Sequence, residues 1–90
     1  MILVLGGTSD SLEICDRINR YEDLSYTLSV TTSYGEDLAR RHAKNVITGK
    51  LTKEDMVRFI EKNNINKIID ATHPYAIEVS KNAIQCAKEL

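Results

Sequence analysis

Four short apolar segments, each followed by a segment with apolar residues at helical spacing, predict an α/β fold for this 90-residue sequence. The strand segments are continuous and apolar, as strands covered on both faces are. Right-handed crossovers between such strands place them side by side and parallel. The sequence therefore predicts a Rossmann-like three-layer domain with a four-stranded parallel sheet.

The first unit is a strand, a glycine turn and a helix. Ile2–Leu5 is an apolar run that Gly6 and Gly7 close. Residues 8–10 can cap a helix, and apolar residues recur at helical spacing behind them. We therefore expect the first helix over about residues 9–20.

Two further units follow the same pattern. Residues 26–32 are rich in β-branched and aromatic residues and form the second strand, after which Gly35 opens a short helix. Residues 45–48 form a third strand that Gly49 stops. Thr52, with an aspartate three residues on, predicts a capping box at the start of the third helix.

The fourth unit closes the pattern. Lys67–Asp70 is the last strand, and the apolar positions behind it predict a helix from about Pro74 to the end of the chain. Proline suits the first helical turn because the N–H that it lacks would be unpaired there. Thr72 or His73 is the expected cap.

Composition limits the functions open to the chain. Ninety residues make one domain, and the net charge of −1 with mixed acidic and basic residues gives no nucleic-acid surface. No apolar run is long enough for a membrane span or forms a signal peptide, so we expect a cytoplasmic protein. Cys15 and Cys86 lie far apart without metal-ligand spacing, so reduced thiols and no metal site are expected.

The turn after the first strand is a candidate phosphate site. Parallel sheets bind ligands at the carboxyl ends of their strands. There the backbone N–H groups of Gly6 and Gly7 and the first helix can hold a phosphate, and Thr8 and Ser9 add hydroxyl donors. The turn lacks the G-x-G-x-x-G fingerprint, so a plain tight turn with a capped helix is the alternative.

The end of the second strand bears on cofactor choice. Residues 31–34 carry hydroxyls where an NAD-binding domain usually has a carboxylate, which favours a ribose 2′-phosphate, with Arg40 or Arg41 nearby. Glu36 and Asp37 could instead hold a free ribose hydroxyl. Strand propensity and helix capping explain the hydroxyls equally well.

The segment at the end of the fourth strand carries the densest set of polar side chains in the sequence. Asp70, Thr72 and His73 follow the strand directly, and a residue before proline is held extended, which directs His73 toward the ligand edge. Histidine titrates near neutrality and could donate a proton. A purely structural histidine is the alternative.

Three segments carry a resemblance to a known family: ILVLGGTSDS, VITGKLTKEDM and IIDATHPYAIEVSKNA. They resemble the amino-terminal half of the precorrin-6A reductases of cobalamin biosynthesis, a family that includes the cobalt-precorrin-6A enzymes. The similarity extends over essentially the whole chain. Tyr75 stands where phenylalanine is more usual in that family.

The resemblance implies a two-lobed reductase that transfers hydride from NADPH or NADH to a tetrapyrrole. It implies a role for each matching residue: Gly6, Gly7, Thr8 and Ser9 at the cofactor phosphates, Ser33, Tyr34 and Gly35 at its adenosine end, Asp70 and His73 in catalysis, and Thr72 and Tyr75 at the substrate.

Members of that family are much longer, so residues 1–90 are expected to be the N-terminal nucleotide-binding domain of a longer enzyme. The missing C-terminal lobe is its expected partner. Alone, the chain is expected to be inactive and could pair with itself through an exposed apolar face.

Two alternatives stay open. A sugar-nucleotide-type NAD-dependent enzyme also begins with a glycine turn, but it needs a Tyr-x-x-x-Lys pair, and Val79 stands four residues after Tyr75. The other is a nucleotide-binding or regulatory module without catalysis.

Overall fold

The computed structural model describes residues 1–90 and confirms the predicted α/β fold class. The strands are β1 (Ile2–Leu5), β2 (Tyr26–Val30), β3 (Val46–Thr48) and β4 (Lys67–Asp70), and the helices are α1 (Ser9–Ile18), α2 (Ser33–Ala39), α3 (Lys53–Lys62) and α4 (Ile77–Glu89). None of the four helices has the length and apolar character that crossing a bilayer requires.

The four strands form one parallel sheet in the order β3-β2-β1-β4. β1 lies between β2 and β4, so that Ile2 pairs with Tyr26 on one side and with Lys67 on the other. The chain steps outward from β1 to β3 and then crosses back to β4. The strand order therefore reverses between β1 and β4, which is where ligands bind in sheets of this type.

The sheet separates two apolar cores. α1 and α2 cover one face, where Val4 and Leu28 are fully buried, and α3 and α4 cover the other, where Leu3 is fully buried. Alternate residues of β1 thus pack into opposite cores. Cys15 lies in the first core and Cys86 in the second, so the sheet keeps the two free thiols apart.

Side-chain caps define the starts of three helices. Thr8 and Thr52 each accept a hydrogen bond from the N–H three residues on, at 3.1 Å in both cases, and each forms a capping box. The box predicted at Thr52 is confirmed. Thr32 caps α2 by accepting the N–H of Gly35 at 3.0 Å, so α2 begins at Ser33 rather than at Gly35.

The predicted start of the last helix is wrong, because α4 begins at Ile77 and not at Pro74. Before it the chain makes a turn in which the N–H of Ala76 donates to the carbonyl of His73 at 2.8 Å. Pro74 stands at the second position of this turn, which its fixed φ favours. Ala76 is the N-cap residue, without a side-chain bond, so neither Thr72 nor His73 caps the helix.

Candidate functional site

A groove of about 550 Å³ runs along the carboxyl ends of the strands, on the side of the sheet covered by α3 and α4. The turn after β1, the loop of residues 49–51 after β3 and the segment of residues 72–79 that leads into α4 supply most of its lining. Ser29 and Thr31 from the end of β2 also line it. The groove therefore lies across the point where the strand order reverses.

The glycine turn brings bare backbone to this groove. The N–H of Gly6 donates to the carbonyl of Ser29 at 2.8 Å, which holds the turn against β2. A Cβ on Gly6 would lie 2.6 Å from Leu28 Cδ1 and 3.2 Å from the Ser29 carbonyl oxygen, so no larger residue fits without a shift. Gly7 has φ +102°, a conformation that favours glycine.

The start of α1 leaves backbone donors free beside the turn. The N–H groups of Gly7, Ser9 and Asp10 make no hydrogen bond within the chain. They lie at the positive end of α1, so they suit the phosphates of a dinucleotide. Thr8 has a structural task instead, because its hydroxyl donates to the carbonyl of Ala71 at 2.6 Å and so has no hydrogen left for a phosphate.

Asp70 is held by the residues that follow it. The N–H and the hydroxyl of Thr72 donate to Asp70 Oδ1 at 3.1 and 2.5 Å. Partial burial acts to raise the pKa of Asp70, but hydrogen bonding from Ser80 and from Thr72 outweighs it and lowers that pKa below the ordinary aspartate value. At neutral pH Asp70 is therefore a carboxylate that accepts hydrogen bonds, and it orients Thr72.

His73 and Tyr75 form a stacked pair, with ring centroids 5.0 Å apart and planes inclined by 29°. The N–H of Tyr75 donates to His73 Nδ1 at 3.2 Å, so the neutral imidazole carries its proton on Nε2. Tyr75 is 84% exposed and Ile77 is 70% exposed, and all three residues line the groove. Together the three side chains form a largely apolar platform that carries two polar hydrogens, on His73 Nε2 and on the Tyr75 hydroxyl.

The loop of residues 49–51 forms one wall of the groove, and the sequence had not predicted a role in ligand binding for it. Gly49 has φ +121°, and its N–H donates to the carbonyl of Val30 at 2.9 Å. Asn82, which is buried on α4, donates to the carbonyl of Leu51 at 3.4 Å. Gly49 was recognised only as a strand end; its neighbour Lys50 also lines the groove.

The structure brings together part of the predicted site. Gly6, Gly7, Thr72, His73 and Tyr75 line the groove. The other predicted residues lie outside its lining. Thr8 is adjacent in sequence to a lining residue, and Ser9 and Asp70 are each two positions from one. Ser33, Tyr34 and Gly35 form the first turn of α2 on the other side of the sheet. Ile77, Glu78 and Val79 were missed because the helix was expected to start earlier.

Replacing Asp70 with asparagine is expected to lower the free energy of unfolding at pH 7 by up to about 1 kcal/mol. Because folding lowers the pKa of Asp70, its charge stabilises the fold fully above the ordinary aspartate pKa of about 3.9. That contribution is lost as the pH falls through the lower folded value. Urea denaturation of both proteins at several pH values should show the difference shrinking toward zero as the pH falls below the ordinary aspartate pKa.

Asp23→Asn is the control for this prediction, since Asp23 is exposed and its side chain makes no hydrogen bond. It should leave stability unchanged at each pH. A loss in Asp70→Asn that stayed constant from neutral to acidic pH would contradict the prediction.

Comparisons with known proteins agree on one family. The protein-family model described as precorrin-6x reductase CbiJ/CobK matches residues 1–90. The cobalt-precorrin-6A reductase of Methanocaldococcus jannaschii is 45% identical over 89 residues, which are 99% of this chain and 36% of that protein. The cobalt-precorrin-6A reductase of Priestia megaterium is 43% identical over 90 residues, 99% of this chain and 34% of that protein.

A solved structure named CobK precorrin-6A reductase matches the fold with a TM-score of 0.80. The two sequences are 22% identical, and the match covers 98% of this chain and 34% of that one. The chain thus spans about a third of the length of the proteins that it matches.

Proposed function

Because the chain belongs to the precorrin-6x reductase family CbiJ/CobK, as its sequence resemblance predicted, we propose that it is the N-terminal nucleotide-binding lobe of a longer reductase. The parent enzyme transfers a hydride from NADPH or NADH to a precorrin-type tetrapyrrole in cobalamin biosynthesis. The observation that carries this proposal is the bare turn of Gly6 and Gly7 beside a groove at the strand-order reversal. Family membership sets the sugar-nucleotide alternative aside.

The chain's own residues bind and orient the cofactor. The free N–H groups of Gly7, Ser9 and Asp10 hold the cofactor phosphates at the start of α1. The bound nicotinamide supplies the hydride chemistry. Residues 72–79 line the same groove and would contact the nicotinamide end of the dinucleotide.

The platform of His73, Tyr75 and Ile77 receives the macrocycle. The ring system of a tetrapyrrole presents a broad apolar face, and exposed aromatic and aliphatic side chains at the groove offer that face a matching surface. Thr72, which Asp70 orients, lines the same groove. The names of the relatives, cobalt-precorrin-6A reductases, support a substrate of this class.

His73 is the proposed proton donor, because its Nε2 proton has no partner in the chain while Asp70 is ionised. In a chain of the family's full length, His73→Ala should slow single-turnover hydride transfer. His73→Gln separates loss of the proton donor from loss of bulk. A wild-type rate for His73→Ala from about pH 6 to 9 would eliminate this role.

Titration of the 90-residue chain with NADPH and NADH tests the nucleotide-binding role. We expect saturable binding of at least one dinucleotide and no turnover, because about two thirds of the family's length, the proposed partner lobe, is missing. Gly7→Val should weaken the binding, since a β-branched residue is strained at φ +102°, while Asp23→Asn should not. Binding of neither dinucleotide at millimolar concentration would contradict the proposal.

Light scattering during the same titration measures self-association. Ile84 and Leu90 are exposed apolar residues on and after α4, and we propose that the partner lobe covers them in the parent enzyme. Without that lobe the chain pairs with itself at high concentration.

We assign the enzyme to the cytoplasm, which suits two buried free thiols.

A further inference from the structure

We propose that a second pocket, beside β3 and toward the amino ends of the strands, binds a small organic anion that carries phosphate or carboxylate groups. This β3 pocket encloses about 370 Å³ and is lined by residues 40, 44–47, 59 and 63 together with Met1 and Thr27. It shares no lining residue with the groove at the carboxyl ends. The inference therefore does not depend on the proposed function.

The charged side chains that line the β3 pocket are both cations. Arg40 and Lys44 share the lining with seven uncharged residues, and no carboxylate lies among them. The sequence suggested Arg40 for a ribose phosphate, but α2 carries it away from the groove to this pocket. Two positive charges around one pocket repel each other and attract an anion placed between them.

The two cations keep donors available for a ligand. Lys44 takes part in none of the five ion pairs of the chain. Arg40 donates from Nη2 to Glu36 Oε1 at 3.3 Å, which leaves the N–H groups of its Nε and Nη1 free. The Thr48 hydroxyl donates to the same Glu36 oxygen at 2.8 Å and holds that carboxylate at the end of β3, outside the lining of the pocket.

Two asparagines add amide donors whose orientation is fixed. Asn45 Nδ2 donates to the carbonyl of Tyr26 at 3.4 Å, and Asn63 Nδ2 donates to the carbonyl of Phe59 at 3.0 Å. Each bond uses one of two amide hydrogens, so the second is available to a ligand oxygen. The backbone N–H of Asn63 also donates to the Phe59 carbonyl, at 3.1 Å, which offsets part of the negative charge at this end of α3.

The apolar part of the lining indicates that the anion is organic. Val46, Ile47 and Phe59 are half-buried and line the pocket. Contact with the hydrocarbon part of a ligand removes apolar surface from water, which an inorganic ion cannot do. A ring or short chain that carries phosphate or carboxylate groups therefore matches both the cations and the apolar side chains.

NMR titration of the 90-residue chain with four compounds tests the inference: phenyl phosphate, isophthalate, inorganic phosphate and benzyl alcohol. We expect phenyl phosphate or isophthalate to saturate in the millimolar range and to shift the amide signals of residues 44–47 and 63. The stronger of these two identifies phosphate or carboxylate as the preferred group. Inorganic phosphate should bind about fivefold more weakly because it lacks the apolar contact. Benzyl alcohol should not bind, and added salt should weaken the binding of both organic anions.

Paired variants localise the binding to the pocket. Lys44→Ala and Arg40→Gln should each weaken the tighter organic anion by roughly five- to tenfold, the effect of one charge-assisted hydrogen bond. Arg41→Gln and Lys88→Ala remove the same charges at exposed positions outside the lining and should leave the affinity unchanged. Circular dichroism confirms that each variant is folded.

Four results would overturn the β3 pocket as an anion site. They are binding of neither organic anion, shifts confined to the groove, benzyl alcohol binding as tightly as phenyl phosphate, and an equal loss of affinity in Lys44→Ala and Lys88→Ala. Inorganic phosphate binding as tightly as the organic anions would overturn the organic nature of the ligand. None of these results bears on the binding of a dinucleotide, which is measured separately.

Discussion

Leu28→Ala is expected to lower the free energy of unfolding by about 3 to 4 kcal/mol. Leu28 is fully buried in β2, where it pairs with Val4 of β1 and Val46 of β3. Truncation removes apolar contacts on a strand whose backbone cannot move to fill the cavity, because both of its edges are hydrogen-bonded. A domain of this size has a total stability of roughly 5 to 13 kcal/mol, so the loss is a large fraction. Urea denaturation followed by circular dichroism measures it.

Leu38→Ala is the matched control, because it removes the same atoms from a side chain on α2 that is 39% exposed. Its effect should stay within about 0.5 kcal/mol. Equal losses in the two variants would mean that Leu28 is not the centre of this core.

Gly6→Ala is expected to cost about 2 kcal/mol and to weaken dinucleotide binding. The new Cβ would lie 2.6 Å from Leu28 Cδ1, 3.0 Å from Ser11 Oγ and 3.2 Å from the carbonyl oxygen of Ser29. The turn must move away from β2, which displaces the backbone donors that follow it. Ser9→Ala, at an exposed position in the first turn of α1, should leave stability within about 0.5 kcal/mol of wild type.

A double-mutant cycle tests the cause. In Leu28→Ala the shortest of these contacts is gone, so adding Gly6→Ala should cost at least about 0.5 kcal/mol less than in the wild type. The same substitution added to Leu38→Ala should be additive. Additivity in both backgrounds would show that contact with Leu28 is not what excludes a side chain at position 6.

Local patterns were sufficient to predict the eight elements from the sequence. Each strand is a short segment rich in apolar and β-branched residues. The hydroxyl of Thr52 with Asp55 marks a helix start that needs no long-range contact. The start of α4 was misjudged because Pro74 is compatible both with a first helical turn and with the second position of a β-turn. The turn closed by Ala76 is the one that forms.

The candidate site depends on contacts that no local pattern reveals. The glycine turn and the residues after β4 were recognisable because each directly follows a strand. Lys50 was not recognisable from the sequence. Its position beside Val30 follows from the pairing of β3 with β2 and from the hydrogen bond between Leu51 and Asn82. The fold brings together Val30 and Lys50, which are 20 positions apart in the sequence, and Leu51 and Asn82, which are 31 positions apart.

The bond from the Thr8 hydroxyl to the Ala71 carbonyl has a mechanical consequence. Ala71 also donates its N–H to the carbonyl of Leu5 at 3.0 Å, so two bonds fasten the segment after β4 to the one after β1. The glycine turn and the segment that carries the rings of His73 and Tyr75 are therefore joined directly. In the proposed function, these two bonds would set the distance between the phosphate site and the macrocycle platform before either ligand binds.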